Sequence, residues 1–309
     1  MARRIQTVTV VGAGTMGSGI AAHLANSGLN VYLVDRLPEP AMDKLPHGAS
    51  LDDSHVRNYL ARRGVNAQLN ARNSGFYVPQ LADRVIIGNT PDQLGEFVRA
   101  SDLVIEAVYE DIGVKREVYS GIEAAMEPGT IVVSNTSGLP IAELVEGRSA
   151  GFVEHFAGMH FFNPARYMML VELISHEVTS PEVMSALEAL ARERLGKEVV
   201  YANDVPGFAA NRIGAYPMAI LFNEYLLEQS VEFLDLIFGK HSGANEKPFV
   251  TADIVGLRTL RDVMANLSRR LPETDAGHGA YKVPPYLDEM VARGLVAGPQ
   301  GKSGFYLGR

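Results

Sequence analysis

The chain has 309 residues, 47% of them hydrophobic and 21% charged, with 16 prolines and no low-complexity tract, a composition that supports a large core and room for two domains. Its net charge of −8 argues against nucleic acid as a partner, and the absence of cysteine excludes disulfides, thiolate metal sites and a cysteine nucleophile. No apolar stretch approaches a membrane span, no histidine or carboxylate spacing resembles a zinc site, and the N-terminus runs straight into a strand without a cleavable signal pattern, so a soluble cytoplasmic protein is expected.

In chain order, β-branched and apolar runs at 7–11, 31–35, 84–88, 103–108, 130–134, 158–162, 168–174 and 198–201 predict strands. Helical patterns separate most of them. One is opened by Pro91, one covers Asp111 to Met126, and Ser180-Pro181-Glu182 starts another in cap-then-proline order. This alternation predicts an α/β fold, a doubly wound Rossmann-type parallel sheet, over residues 1–204, with a helical insertion near 40–80. After Asp204 the pattern changes to long helices at about 206–229, 230–239, 250–270 and 284–293, which predicts an all-α domain over 205–309.

The first strand leads into Gly12, Gly14 and Gly17, an amphipathic helix, a second strand and Asp35. Each part has a physical task in holding a dinucleotide. Gly12 permits the tight turn, Gly14 lets the backbone approach a pyrophosphate, and Gly17 allows close packing of helix on strand. Thr15 and Met16 open the helix, whose unpaired N–H groups and positive dipole end face the phosphates. Asp35 accepts both ribose hydroxyls of NAD and repels the 2′-phosphate of NADP, so NAD is the expected cofactor. Arg36 follows at once and leaves NADP open, its other readings being a guanidinium over the adenine or in solvent.

Acidity is uneven: residues 1–204 carry 17 Lys+Arg against 25 Asp+Glu, while 205–309 carry 11 of each. Within the acidic part, residues 54–82 hold no acid but carry Arg57, Arg62, Arg63 and Arg72. Such a basic island suits a phosphate-rich ligand, or it is simply a solvated helix face.

Four further segments place polar residues at strand ends: IEAVYED (105–111), SNTSG (134–138), GMHFFNPARYMMLVELI (158–174) and NDVPGFAANR (203–212). Glu172 lies on an apolar strand face between Leu170 and Ile174, so its carboxylate needs a partner. The turn at Asn163-Pro164-Ala165-Arg166 can bring it beside His160, an acid-oriented imidazole being the usual construction of a general base. A salt bridge from Glu172 to Arg166 is the structural alternative.

With these residues in view the chain resembles the 3-hydroxyacyl-CoA dehydrogenases, especially the dehydrogenase modules of multifunctional fatty-acid oxidation proteins, over nearly its whole length, including VTADIVGLRTL (250–260) and the closing GFY (304–306). The resemblance implies oxidation of (3S)-3-hydroxyacyl-CoA to 3-oxoacyl-CoA with NAD. In it His160 is the base, Glu172 its support, and Ser137 and Asn211 bind the reacting oxygen. Asn163 holds the nicotinamide end, while Glu110 and Lys115 lie near the cofactor ribose and the CoA. Each also has a local reading: Asn163 builds its turn, Ser137 caps a helix from Pro140, and Asn211 packs near a helix start at Pro206.

The chain departs from the family in two places. The lysine-bearing CoA pattern of the helical insertion is replaced by arginines, with Arg62, Arg63 and Arg72 as candidates for CoA, and GPQGKSGFY is shorter than the usual closing signature, which leaves Lys302 without a role. The helical domain is expected to close the substrate cleft and to form a homodimer. With no residues left over for a hydratase domain, a single activity is expected. Two rival readings remain, a dehydrogenase of a free hydroxy acid and a retired NAD-binding protein.

Overall fold

The computed structural model describes residues 4–39, 43, 45, 50–70, 74–226, 228–242, 247–297 and 303–306. The chain forms two compact units, Met1–Asp204 and Val205–Arg309.

In the first unit, β1 (Thr7–Val11), α1 (Thr15–Asn26) and β2 (Asn30–Asp35) form the opening βαβ unit. Short α2 (Ser54–Arg57) and α3 (Tyr59–Asn70) follow, then β3 (Val85–Asn89), α4 (Thr90–Arg99), β4 (Leu103–Glu106), α5 (Ile112–Glu123) and β5 (Ile131–Ser134). After α6 (Ile141–Leu144) and α7 (Ala150–Glu154) come β6 (Phe156–Phe161), β7 (Leu170–Ile174), α8 (Pro181–Ala189) and β8 (Glu198–Ala202). Among the described residues the strands make one eight-stranded sheet, ordered β3-β2-β1-β4-β5-β6-β7-β8. All neighbours are parallel except β6 and β7, an antiparallel pair joined by the Asn163 turn. Strands β4, β5 and β6 are buried throughout, which is why they read as unbroken apolar runs. Helix starts follow their capping residues: Asn89, Asp111 and Ser180 each accept a backbone N–H of the turn they open. The chain order reverses between β1 and β4, so the crevice at the carboxyl ends of those strands is where a doubly wound sheet binds ligands.

The second unit is helical: α9 (Ala210–Ile220), α10 (Val231–Ile237), α11 (Pro248–Val255), α12 (Leu257–Arg270) and α13 (Pro285–Ala292). The pattern over 250–270, read as one helix, is two, because Gly256 at φ 96° ends one and starts the next. Phe222, Phe249 and Phe305 pack with ring centroids 4.9–5.3 Å apart in its core. The closing GFY is a structural staple: Asp253 accepts the N–H groups of Phe305 and Tyr306, and the Tyr306 hydroxyl donates to buried Asp235 at 2.6 Å. Lys302 lies outside the described residues. Among the described residues no helix is long and apolar enough to cross a membrane, and no group of three or more His, Asp or Glu residues could hold a metal ion.

Candidate active site

The opening turn has the shape its glycines require. Gly12 sits at φ 102°, a conformation side chains rarely adopt, and a Cβ there would meet the Ala107 carbonyl oxygen at 2.5 Å. A Cβ on Gly17 would collide with the Gly12 carbonyl, so helix and strand touch backbone to backbone. Gly14 instead faces open space. It caps α1 without any side-chain bond to the first-turn N–H groups, and Gly14 and Thr15 are exposed while Met16 is half-buried. Uncapped N–H groups at the positive end of a helix fit a pyrophosphate.

Asp35 ends β2 beside this turn. Its Oδ2 accepts the Ala13 N–H at 2.6 Å and its Oδ1 the Arg36 N–H at 2.7 Å, which aims the carboxylate across the turn. Burial pushes its carboxyl above the ordinary value. Each oxygen accepts one backbone N–H and retains a lone pair for a ribose hydroxyl. An open helix start with an acid held at the neighbouring strand end fits NAD.

His160 and Glu172 are direct cross-strand partners on β6 and β7, with His160 Nδ1 2.7 Å from Glu172 Oε2. They are 4% and 0% exposed. A carboxylate only accepts, so Nδ1 carries the proton and the ring directs the lone pair of Nε2 away from Glu172. The ring of Phe162 lies 4.4 Å from the imidazole. Arg166, the alternative partner for Glu172, is engaged elsewhere: it donates to the carbonyls of Ser74 (2.7 Å) and Phe76 (3.2 Å) and lies over Tyr77 and Tyr167.

The SNTSG loop is tied to the strand end that carries His160. Asn135 Oδ1 accepts the Phe161 N–H at 2.8 Å, while Glu110 Oε1 accepts the Ser137 N–H at 2.8 Å and the Thr136 hydroxyl at 2.6 Å. Ser137 is exposed on this loop. It does not cap α6. Asp204 does so instead, accepting the N–H groups of Ile141 and Ala142 at 2.7 and 2.9 Å.

Lys115 lies under this loop. It is 1% exposed, and its ammonium meets Glu106 at 2.7 Å and Glu110 at 3.2 Å. Glu106, fully buried, also accepts the hydroxyls of Tyr119 and Ser134, each at 2.6 Å. Burial, with Glu106 alongside, pushes the Tyr119 phenol well up. Lys115 therefore reaches the site through Glu110, as an internal strut. Asn163 is exposed at the start of the β6–β7 turn. Lys197, which sequence reasoning passed over, secures that turn: 3% exposed, it donates to the carbonyls of Ala165 (2.6 Å) and Met168 (2.7 Å). Only the tertiary fold brings it there.

The basic island divides. Arg57 is bound to Asp92 by two 2.6 Å hydrogen bonds, Arg62 is half-buried and Arg63 exposed on α3, and Arg72 lies outside the described residues. Asn211 is half-buried in the first turn of α9, in the helical unit.

Comparison with known proteins agrees with this architecture. Residues 7–205 match the family described as 3-hydroxyacyl-CoA dehydrogenase, NAD binding domain, and residues 207–307 match 3-hydroxyacyl-CoA dehydrogenase, C-terminal domain. The chain is 35% identical over 309 residues to a "Probable 3-hydroxyacyl-CoA dehydrogenase" of Bacillus subtilis, covering 99% of this chain but only 39% of that protein. It is 36% identical over 307 residues to a protein of the same description from Deinococcus radiodurans, covering 98% of this chain and 83% of the relative. Among solved structures, the (S)-3-hydroxybutyryl-CoA dehydrogenase PaaH1 of Ralstonia eutropha superposes with a TM-score of 0.73 at 30% identity, over 99% of each chain.

Proposed function

This chain belongs to the 3-hydroxyacyl-CoA dehydrogenase family, with NAD as its cofactor, and on that premise we propose that it oxidises (3S)-3-hydroxyacyl-CoA to 3-oxoacyl-CoA in fatty-acid β-oxidation or related acyl-CoA metabolism. The observation that carries the reading is the buried His160–Glu172 pair. Nε2 of His160 takes the proton of the 3-hydroxyl, and Glu172 holds the ring and offsets the positive charge that forms. Bound NAD⁺ supplies the acceptor for the hydride that leaves C3. Ser137, held by Glu110, hydrogen-bonds the reacting oxygen, a task that the family resemblance also gives Asn211. Asn163, on the turn braced by Lys197, supports the nicotinamide end, and Asp35 with the Gly12–Gly17 turn holds the adenosine half. Of the two neighbouring arginines proposed for the CoA phosphates, Arg62 is the candidate that stands, because Arg63 is drawn to Asp43 beside Asp35. A retired NAD-binding protein has no need of a buried acid–imidazole pair, which well-packed apolar residues could replace without loss of stability.

The helical unit exposes Ile213 (73%), Ile254 (64%) and Leu236 (53%), which supports pairing with a second copy of the chain. Sedimentation at micromolar protein tests this, and an active monomer refutes it.

The direct test is a rate survey across 3-hydroxyacyl-CoA chain lengths and free 3-hydroxy acids with NAD⁺ and NADP⁺, alongside His160→Gln. The expected result is NAD⁺-dependent oxidation of the CoA esters, reduced about 10²–10⁴-fold in the variant. Faster turnover of a free hydroxy acid, or no loss in His160→Gln, refutes the reading.

A further inference from the structure

An arginine directly after the ribose-binding acid is the residue expected to meet a 2′-phosphate, and Arg36 occupies that position. A second cation stands near it: both Arg36 and Arg63 lie close enough to Asp35 to act on its carboxyl electrostatically. Two guanidinium groups beside an adenosine ribose would favour NADP and blunt the repulsion from Asp35.

The structure shows where those charges are directed. Asp43 is 6% exposed and faces Arg36, accepting from Nη1 at 2.9 Å and from Nη2 at 3.4 Å. Its Oδ1 is also 3.8 Å from Arg63 Nη1, and the Glu39 N–H donates to Oδ2 at 2.9 Å and fixes the carboxylate. Glu39 adds a second acid 3.5 Å from Arg36. A carboxylate held this way does more than join the segment after β2 to α3. It engages both cations that a 2′-phosphate would need, and a phosphate entering there meets Asp35 and Asp43 together.

We propose that Asp43 is a second determinant of NAD over NADP, acting by holding the guanidinium groups of Arg36 and Arg63 away from the ribose 2′ position. The inference rests on the NAD-binding role of the Asp35 crevice. A purely structural Asp43 would change the affinity for both cofactors alike, whereas a specificity residue changes only ligands that carry the 2′-phosphate.

Calorimetric titration separates these possibilities, using the whole chain with NAD⁺, NADP⁺ and adenosine 2′,5′-bisphosphate. Asp43→Asn is expected to tighten binding of both 2′-phosphorylated ligands about 10- to 100-fold, the range for one charge-assisted hydrogen bond, with NAD⁺ changing less than about threefold. Replacing Arg36 and Arg63 by Ala in the Asp43→Asn background should remove the gain. In the unmodified background, Arg36→Ala should leave NADP⁺ affinity unchanged, a result that needs no Asp43 variant to fold. Unaltered 2′-phosphate binding in Asp43→Asn, equal weakening of both cofactors, or a tenfold loss of NADP⁺ affinity in Arg36→Ala each overturns the proposal. Failure of NAD⁺ to bind the unmodified chain would instead refute the role of the crevice itself.

Discussion

Glu172→Gln removes a negative charge while keeping the volume of the side chain and an oxygen able to accept from His160 Nδ1. What is lost is charge compensation as the imidazole gains a proton. Two unit charges about 4 Å apart attract by about 4 kcal/mol at an effective dielectric of about 20 and by about 1 kcal/mol in water. With exposures of 4% and 0%, the pair lies toward the first of these limits. Allowing for the amide hydrogen bond that remains, about 2–4 kcal/mol of transition-state stabilisation should disappear, a fall in kcat of about 30- to 1,000-fold. Steady-state NADH formation measures it, with the NAD⁺ dissociation constant as the control for folding. Because the two residues act as a unit, the double variant His160→Gln/Glu172→Gln should be no slower than His160→Gln alone. Full kcat in Glu172→Gln would show that Glu172 only fills its strand position, and losses that multiply in the double variant would show that it acts without His160.

Lys115→Met leaves Glu106 charged and fully buried without its cation, so urea denaturation should report a loss of about 3–5 kcal/mol; a loss below about 1 kcal/mol would show that the hydroxyls of Tyr119 and Ser134 suffice. Changing Arg62 to Ala should raise KM for hydroxyacyl-CoA with KM for NAD⁺ nearly constant, and added salt should raise the same KM in the unmodified chain; unchanged kinetics would make that side of α3 a solvated face. His23, buried in α1 with Nε2 3.1 Å from the Leu195 carbonyl, has its pKa lowered to about 4 by burial first and then by Lys197. The folded value is below the unfolded one, so the stability this neutral histidine contributes is present above pH ~6.5 and is lost as pH falls toward about 4, in total about 3 kcal/mol. His23→Gln should flatten that slope, and an identical slope in the variant would refute the assignment.

The fold class was legible because burial on both faces writes itself as apolar runs. All eight runs became strands, and Asp111 and Ser180 at their helix starts became caps. What misled was local. Gly256 inside an otherwise continuous helical pattern is a break at positive φ, and a glycine in such a pattern is tolerated often enough that the pattern alone does not reveal it. Ser137 stands ahead of a helix in the manner of a cap, but the capping is done from 62–63 residues away in sequence, by Asp204, whose two bonds to the start of α6 no local spacing announces.

The same contrast separates the parts of the site. The pairing of His160 with Glu172 could be read because a carboxylate on an apolar strand face states a need, and a short turn between two strands limits what can meet it. Lys115 stated no such need. It stands on an amphipathic helix where lysines are usually solvated, and only the sheet order, with β4 and β5 adjacent, shows Glu106 waiting at its inner end. Asp43 is harder still, since its meaning depends on two arginines, one seven residues on its N-terminal side and one twenty on its C-terminal side. Charge counting treats the arginines of 54–82 as one group, for a phosphate-rich ligand or for solvent. The structure gives Arg57 to Asp92 and brings Arg63 within reach of Asp43, so a count of like charges overstates a binding site until each cation has been checked for an acid that its own fold supplies.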